Sequence, residues 1–257
     1  MNKIRHFRDL LTLDRKFVGT ILQFPCPEIV EMLGQAGYDY IIIDNEHSYA
    51  TREQTLQMLR AAENAGIAAM VRIPDVEEDA VKKVLDMGFT AIRVPGVSTP
   101  DEAKRIVGYA KFAPEGERGA CPYVRANGFG GEDPVAFYKT ANERLVIAVN
   151  IEGEQGVRNM EEIIRTDGID IINVGRMDLS VAMGVPGQTR HPLVEDAVRQ
   201  VSQMCAKYGK CSGAFIEHPE QAADYRSLPG ITHFLTRPPE SILIEGYREL
   251  YKKIMEC

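Results

Sequence analysis

A (β/α)8 barrel is the fold this sequence predicts, and three observations carry it. Short apolar, β-rich runs recur eight times along the 257 residues. Amphipathic helical segments separate most of them. No second hydrophobic unit interrupts the chain, so residues 1–257, 44% of them hydrophobic, read as a single α/β domain with one large core. The continuous apolar character of the runs suits parallel strands covered on both faces. A doubly wound sheet is the rival architecture. It normally uses fewer strands, and the phosphate-binding GxGxxG fingerprint is absent.

The elements follow in order. FVGTILQF (17–24) is the first strand, and PEIVEMLGQAG (27–37) has helical spacing and stops at Gly37. YIIID (40–44) is the second strand, and TREQTLQMLRAAENAG (51–66) is a helix ending at Gly66. AAMVRI (68–73), the amphipathic VEEDAVKKVLDMG (76–88) and TAIRVP (90–95) continue the alternation. TPDEAKRIVGYAKF (99–112) is a helix that Thr99 or Asp101 caps. The stretch 113–134, APEGERGACPYVRANGFGGEDP, is rich in glycine and lacks an obvious helix near its start. It reads as a long loop on the catalytic side of the fourth strand that covers the site, or more blandly as an exposed insertion. LVIAVNI (145–151), the helix RNMEEIIRTDG (158–168) and DIINV (170–174) come next. PLVEDAVRQVSQMCAKYG (192–209) opens on a proline suited to a first helical turn. CSGAFI (211–216), THFLT (232–236) and the helical SILIEGYRELYKKIMEC (241–257) complete the chain.

Composition narrows the function. The net charge is −7 and no basic run of five occurs, which argues against a nucleic-acid partner. The start, MNKIRHFRDL, lacks an apolar core of signal-peptide length, and no stretch approaches the roughly 20 apolar residues of a membrane span. Cys26, Cys121, Cys205, Cys211 and Cys257 form no CxxC pair, and an odd count argues against a disulfide framework. A reducing, cytoplasmic setting is the simplest expectation.

A barrel sends the residues at the C-terminal ends of its strands into one mouth. Asp44, Glu46 and His47 follow strand two, Arg72 ends strand three, Arg93 lies on strand four, and Glu152 and Asp178 follow strands five and six. Two carboxylates at successive strand ends suit a divalent metal that keeps positions open for water and substrate. Their bland reading is a pair of acids bonded to loop amides. His47 is the candidate proton-transfer group, with Asp44 placed to orient its ring; otherwise it is a histidine bonded to a loop carbonyl. Arg72 offers a planar fork for a carboxylate and positive charge for a developing enolate, or else pairs structurally with an acid such as Glu46. Two carboxylates also serve glycosidases, but the chain has no tryptophan to build a sugar platform. No lysine sits at a predicted strand end, which weighs against a Schiff base.

At these residues the chain resembles the HpcH/HpaI family of metal-dependent, class II pyruvate aldolases. The matching pieces are AGYDYIIIDNEHS (36–48), VRIP (71–74), VP (94–95), PEGERG (114–119), IEGEQGVRNMEEI (151–163) and VGRMDLSVAMGVPGQTRHP (174–192). The resemblance implies reversible cleavage of a 4-hydroxy-2-oxo acid to pyruvate and an aldehyde. It implies Mg²⁺ or Mn²⁺, with Co²⁺ also possible, on Glu152 and Asp178. Arg72 would contact the keto oxygen and His47, oriented by Asp44, would handle the 4-hydroxyl proton. It also implies a homo-oligomer, such as a hexamer assembled from dimers that exchange C-terminal helices. A metal-dependent decarboxylase of an oxaloacetate-like acid and a non-catalytic barrel serving as a binding or assembly module are the alternatives.

The chain departs from the family pattern at several places. Asn150 stands two residues before Glu152 where a glutamine is usual, so a side chain expected to reach substrate is one methylene shorter. Gly175-Arg176-Met177 precedes Asp178 where Gly-Pro-x is usual, in a turn whose amides are expected to hold a carboxylate. Asn45 replaces a glycine, and Thr236-Arg237-Pro238 replaces a glycine-containing turn. Arg176 or Arg237, with Arg118 and Arg125 of the long loop, is therefore expected to favour an acidic substrate, unless these arginines pair with Glu115, Glu117, Glu132, Asp133 or a neighbouring subunit.

Overall fold

The computed structural model describes residues 6–256; the first five residues and Cys257 lie outside it. Eight parallel strands form one sheet: β1 (Phe17–Leu22), β2 (Tyr40–Asp44), β3 (Ala68–Arg72), β4 (Ala91–Val94), β5 (Val146–Ile151), β6 (Ile171–Val174), β7 (Ser212–Ile216) and β8 (Ile231–Thr236). β1 pairs with both β2 and β8, so the sheet curls on itself. Only the β6–β7 seam is thin. There Ile172 N donates to Cys211 O (2.9 Å), Cys211 N donates to Asp170 O (3.0 Å), and the Asn173 side chain accepts from Gly213 N (2.9 Å). The result is the nearly closed (β/α)8 barrel that the alternation of apolar runs and helices predicts.

The helices are α1 (Phe7–Leu10), α2 (Pro27–Gln35), α3 (Arg52–Ala65), α4 (Glu78–Met87), α5 (Pro100–Ala110), α6 (Pro134–Arg144), α7 (Glu154–Arg158), α8 (Met160–Ile164), α9 (Arg176–Ala182), α10 (Pro192–Lys207), α11 (Gln221–Arg226) and α12 (Pro239–Met255). Their starts are written in the sequence. Thr51 and Thr99 each close a capping box, with Gln54 and Glu102 respectively. Gly66 and Gly88 end α3 and α4 in the left-handed conformation. None of the described helices is long and apolar enough to cross a membrane.

Strand residues alternate between two cores. Ile41, Ile43, Val71, Ile92, Val94, Ile147, Val149 and Ile172 face the helices, while Tyr40, Ile42, Met70, Ala91, Val146 and Ala148 fill the barrel. Phe7 of α1 plugs the end where the strands begin, edge-on to Phe17 and Tyr40. Gly19 leaves room for the Tyr40 ring, because a Cβ there would lie 2.4 Å from it. With this end filled by aromatics, the open end is where the strands finish.

Two expectations need correction. The helix expected at 158–168 is only α8 there, preceded by the short α7 that starts at Glu154; the two are separated at Asn159, whose side chain donates to Ser98 O. The 113–134 loop does not cover the mouth. It joins the C-terminal end of α5 to α6, which leads into β5, so it lies at the end where the strands begin. Its arginines bind the flank: Arg118 pairs with Asp86 of α4 (2.7 Å) and stacks over Phe112, and Arg125 bonds Glu63 of α3 and Met87 O. An αβ connection returns to the start of the next strand, which is the physical reason.

Candidate active site

Asp44 and Arg72 are the last residues of β2 and β3 and are partners in register. Asp44 is fully buried and accepts from Arg72 Nε (2.8 Å) and Nη2 (2.6 Å). It also accepts from the Glu46 amide (3.0 Å) and from Gln23 (3.3 Å). Burial alone would push its carboxyl up; the Arg72 guanidinium, the amide and Gln23 outweigh burial and hold it below the ordinary value of 3.8. Arg72 Nη1 lies 3.0 Å from Glu46 Oε2. Despite burial, these acids raise the guanidinium's pKa, so it stays charged.

The expected Asp44–His47 orientation does not occur. Asp44 meets only the backbone amide of His47, at 3.4 Å, because the bidentate arginine occupies its oxygens. The His47 side chain is 59% exposed, and its Nε2 lies 3.7 Å from Glu46 Oε2. Glu46, not Asp44, is the acid beside the ring.

Glu152 leaves β5 one residue after Ile151, and Asp178 sits in the first turn of α9. Gly175 makes their approach possible: a Cβ there would lie 2.4 Å from Glu152 Cγ. Asn150 donates to Glu152 Oε1 (2.8 Å) and accepts from Arg93 Nε (2.7 Å). Burial is the main cause raising the Glu152 pKa; Asn150 opposes it, and the charges of Asp178 and Glu46 add to it. Acids that crowd one another beside an open cavity fit a divalent cation. Among the described residues no group of three or more His, Cys, Asp or Glu is arranged to hold a metal, so Glu152 and Asp178 would leave most positions to water and substrate.

These groups share a cavity of about 450 Å³ at the strand ends. His47, Arg72, Arg93, Asn150, Glu152, Gly175, Arg176, Met177 and Asp178 line it, with Ile21, Phe215 and Leu235 opposite. Asp44 lies behind Arg72. Arg118, Arg125 and Arg237 do not line this cavity. Arg237 instead bonds Ser241 and Glu245 of α12 (2.5 Å to the latter). Arg176 lines the wall, but its Nη1 is held by Glu195 of α10 (2.9 Å) and its guanidinium lies over the Tyr225 ring. Neither pairs with the loop acids expected from sequence. The sequence places Arg93 in the mouth without giving it a role, whereas Gln23 and His233 carry no strand-end signal and are found only in the structure.

A (β/α)8 enzyme is thus defined, with a guanidinium, an imidazole and two carboxylates converging on a cavity at the strand ends. The chain belongs to the HpcH/HpaI aldolase/citrate lyase family, whose model matches residues 22–228. It is 34% identical to the 5-keto-4-deoxy-D-glucarate aldolase of Shigella boydii serotype 18 over 207 residues, 80% of each chain. It is also similar to an HpcH/HpaI aldolase structure from Desulfitobacterium hafniense DCB-2 (TM-score 0.91, 28% identity, 98% of this chain and 97% of that one). A third relative is an HpcH/HpaI aldolase/citrate lyase family structure from Burkholderia cenocepacia J2315 (TM-score 0.90, 31% identity, 96% and 98%). The enzyme class is that of the metal-dependent class II aldolases, carbon–carbon lyases.

Proposed function

We propose that this chain cleaves a 4-hydroxy-2-oxo acid reversibly to pyruvate and an aldehyde, using the Arg72–Glu152–Asp178 cavity. The observation that supports it best is one cavity holding a fixed guanidinium, an exposed imidazole and two carboxylates, one of which is destabilised by burial and then by the neighbouring acids. Glu152 and Asp178 would hold Mg²⁺ or Mn²⁺, whose chemistry there is to polarise the 2-oxo carbonyl. Breaking the C3–C4 bond leaves an electron pair on C3 conjugated with that carbonyl. Arg72, locked by Asp44, presents positive charge to the resulting enolate without reorganising. His47 takes the C4 hydroxyl proton as the aldehyde forms, directly or through a water, and Glu46 beside the ring stabilises the imidazolium. Gly175, Arg176 and Met177 form the wall against the substrate. Asn150, with both ends of its amide committed, acts through Glu152.

The proposal extends to a homo-oligomer. α12 buries only Pro239, and Leu243, Tyr247, Leu250, Tyr251 and Ile254 stay exposed at helical spacing. A second copy of the chain is the partner this face fits. A cytoplasmic setting rests on the unpaired cysteine pattern of the sequence.

Pyruvate, Mg²⁺ or Mn²⁺ and a panel of short aldehydes test the reaction. Adduct formation and its reversal to pyruvate are expected. CO₂ release from oxaloacetate without any aldehyde reaction would favour decarboxylation, and no turnover of either kind would reject the reading.

A further inference from the structure

Arg93 is a buried cation that forms no ion pair with a carboxylate among the described residues. It lies on β4, level with Arg72 of β3 and Ala148 of β5, and points into the barrel beneath Glu152. It is 8% exposed. Its Nε donates to Asn150, and among the described residues no carboxylate lies within 4.0 Å of it. The other arginines buried to this degree are paired: Arg118 has Asp86 and Arg176 has Glu195. Burial lowers the Arg93 pKa to about 10, with the Arg72 charge adding to burial and Tyr40, Glu152 and Asp44 opposing it from beyond ion-pair distance, so the group is still protonated at neutral pH. A buried charge without a partner is costly, and a fold keeps one where a ligand completes it. With Nε committed to Asn150, Nη1 and Nη2 remain as a fork of carboxylate-binding geometry. They belong to the floor of the cavity, beside the apolar Ile21, Phe215 and Leu235, with the acids Glu152 and Asp178 elsewhere on the lining and not in ion-pair contact with Arg93. His233, also on this floor, is driven neutral by burial, its pKa lowered to about 3.

We propose that Arg93 is a specificity-determining residue that receives a carboxylate of the substrate at the cavity floor. This rests on the 2-oxo acid reading above. The carboxylate is either the one next to the keto group or a second, distal one, and the two sources separate experimentally.

The test is calorimetric binding of pyruvate, 2-oxoglutarate and 2-oxopentanoate to the full chain loaded with Mn²⁺, in wild type and Arg93→Met. The last two acids differ in a terminal carboxylate against a methyl group. Mn²⁺ affinity is measured first, without acid. If the distal carboxylate is bound, Arg93→Met weakens 2-oxoglutarate about 10- to 100-fold and leaves 2-oxopentanoate unchanged. If the adjacent carboxylate is bound, all three acids weaken by that factor while Mn²⁺ affinity holds. Unchanged affinity for all three overturns the proposal. So does a parallel fall in Mn²⁺ affinity, which would make Arg93 a support for Asn150 and Glu152 only. Should Arg93→Met not fold, Arg93→Lys, which keeps the charge and loses the fork, gives the same readout with a smaller fall. Absence of aldol turnover in wild type would sink the proposed reaction yet leave these binding ratios readable.

Discussion

Glu152 and Asp178 carry different burdens although both are acids at strand ends. Glu152 is held by Asn150 and crowded by Gly175, whereas Asp178 is exposed at the start of α9. Glu152→Gln and Asp178→Asn should each lower Mn²⁺ affinity at least tenfold by calorimetry, with far-UV circular dichroism unchanged. Unaltered affinity in both would remove the metal from this site. Asp44 has a structural duty: it neutralises Arg72 under the cavity. Asp44→Asn should cost about 3 kcal/mol in urea unfolding, since it leaves a buried guanidinium short of charge. The wild-type carboxyl titrates below 3.8, so its contribution is present above that value and disappears as pH falls through the folded pKa. The variant should lack this acid-limb loss. Sequence spacing identified these residues because each ends a strand. It misjudged who touches whom: Asp44 is three residues from His47 in the chain, but Arg72 is its neighbour across the sheet, and a lateral register is invisible to local spacing.

The strands were legible as elements because parallel, doubly covered strands are uninterrupted apolar runs. Several helices carry little sequence signal, and for two of them, α6 and α9, the physical reason is plain. α6 buries only Phe137 and Asn142 of its residues, so its periodicity is faint, although Asp133 followed by Pro134 is a cap-and-first-turn signal. α9 is seven residues long and hides inside the stretch that resembles the family motif. The length and glycine content of the 113–134 loop say nothing about which end of the barrel it occupies; the return path from α5 to the start of β5 decides that. α12 yields the clearest prediction for an element. Leu250→Glu with Ile254→Glu should shift the oligomer toward monomer in multi-angle light scattering without loss of helix content. An unchanged mass would show that this face is not the contact between copies.

The barrel as a body divides into an aromatic plug and a polar mouth, and His233 lies where the two meet. It stacks on Phe17 at 5.0 Å and is neutral by burial, with its pKa lowered from 6.5 to about 3. The unfolded chain takes up that proton below about pH 6.5 and the folded chain does not, so stability declines as pH falls from there. The slope due to this group approaches about 1.4 kcal/mol per pH unit between pH 6 and 4. His233→Gln should flatten that part of the curve in urea midpoints taken at pH 7, 5.5 and 4.5. An identical slope in both proteins would place the acid sensitivity elsewhere.

In the proposed reaction Arg72 and the Glu152–Asp178 pair together lower the energy of a pyruvate enolate. Exchange of the pyruvate C3 protons in deuterated water, followed by proton NMR without any aldehyde, isolates that step. Exchange should require Mg²⁺ or Mn²⁺, should stop on chelation, and should fall at least a hundredfold in Arg72→Ala. Equal exchange in wild type and Arg72→Ala, or exchange indifferent to chelation, would contradict it.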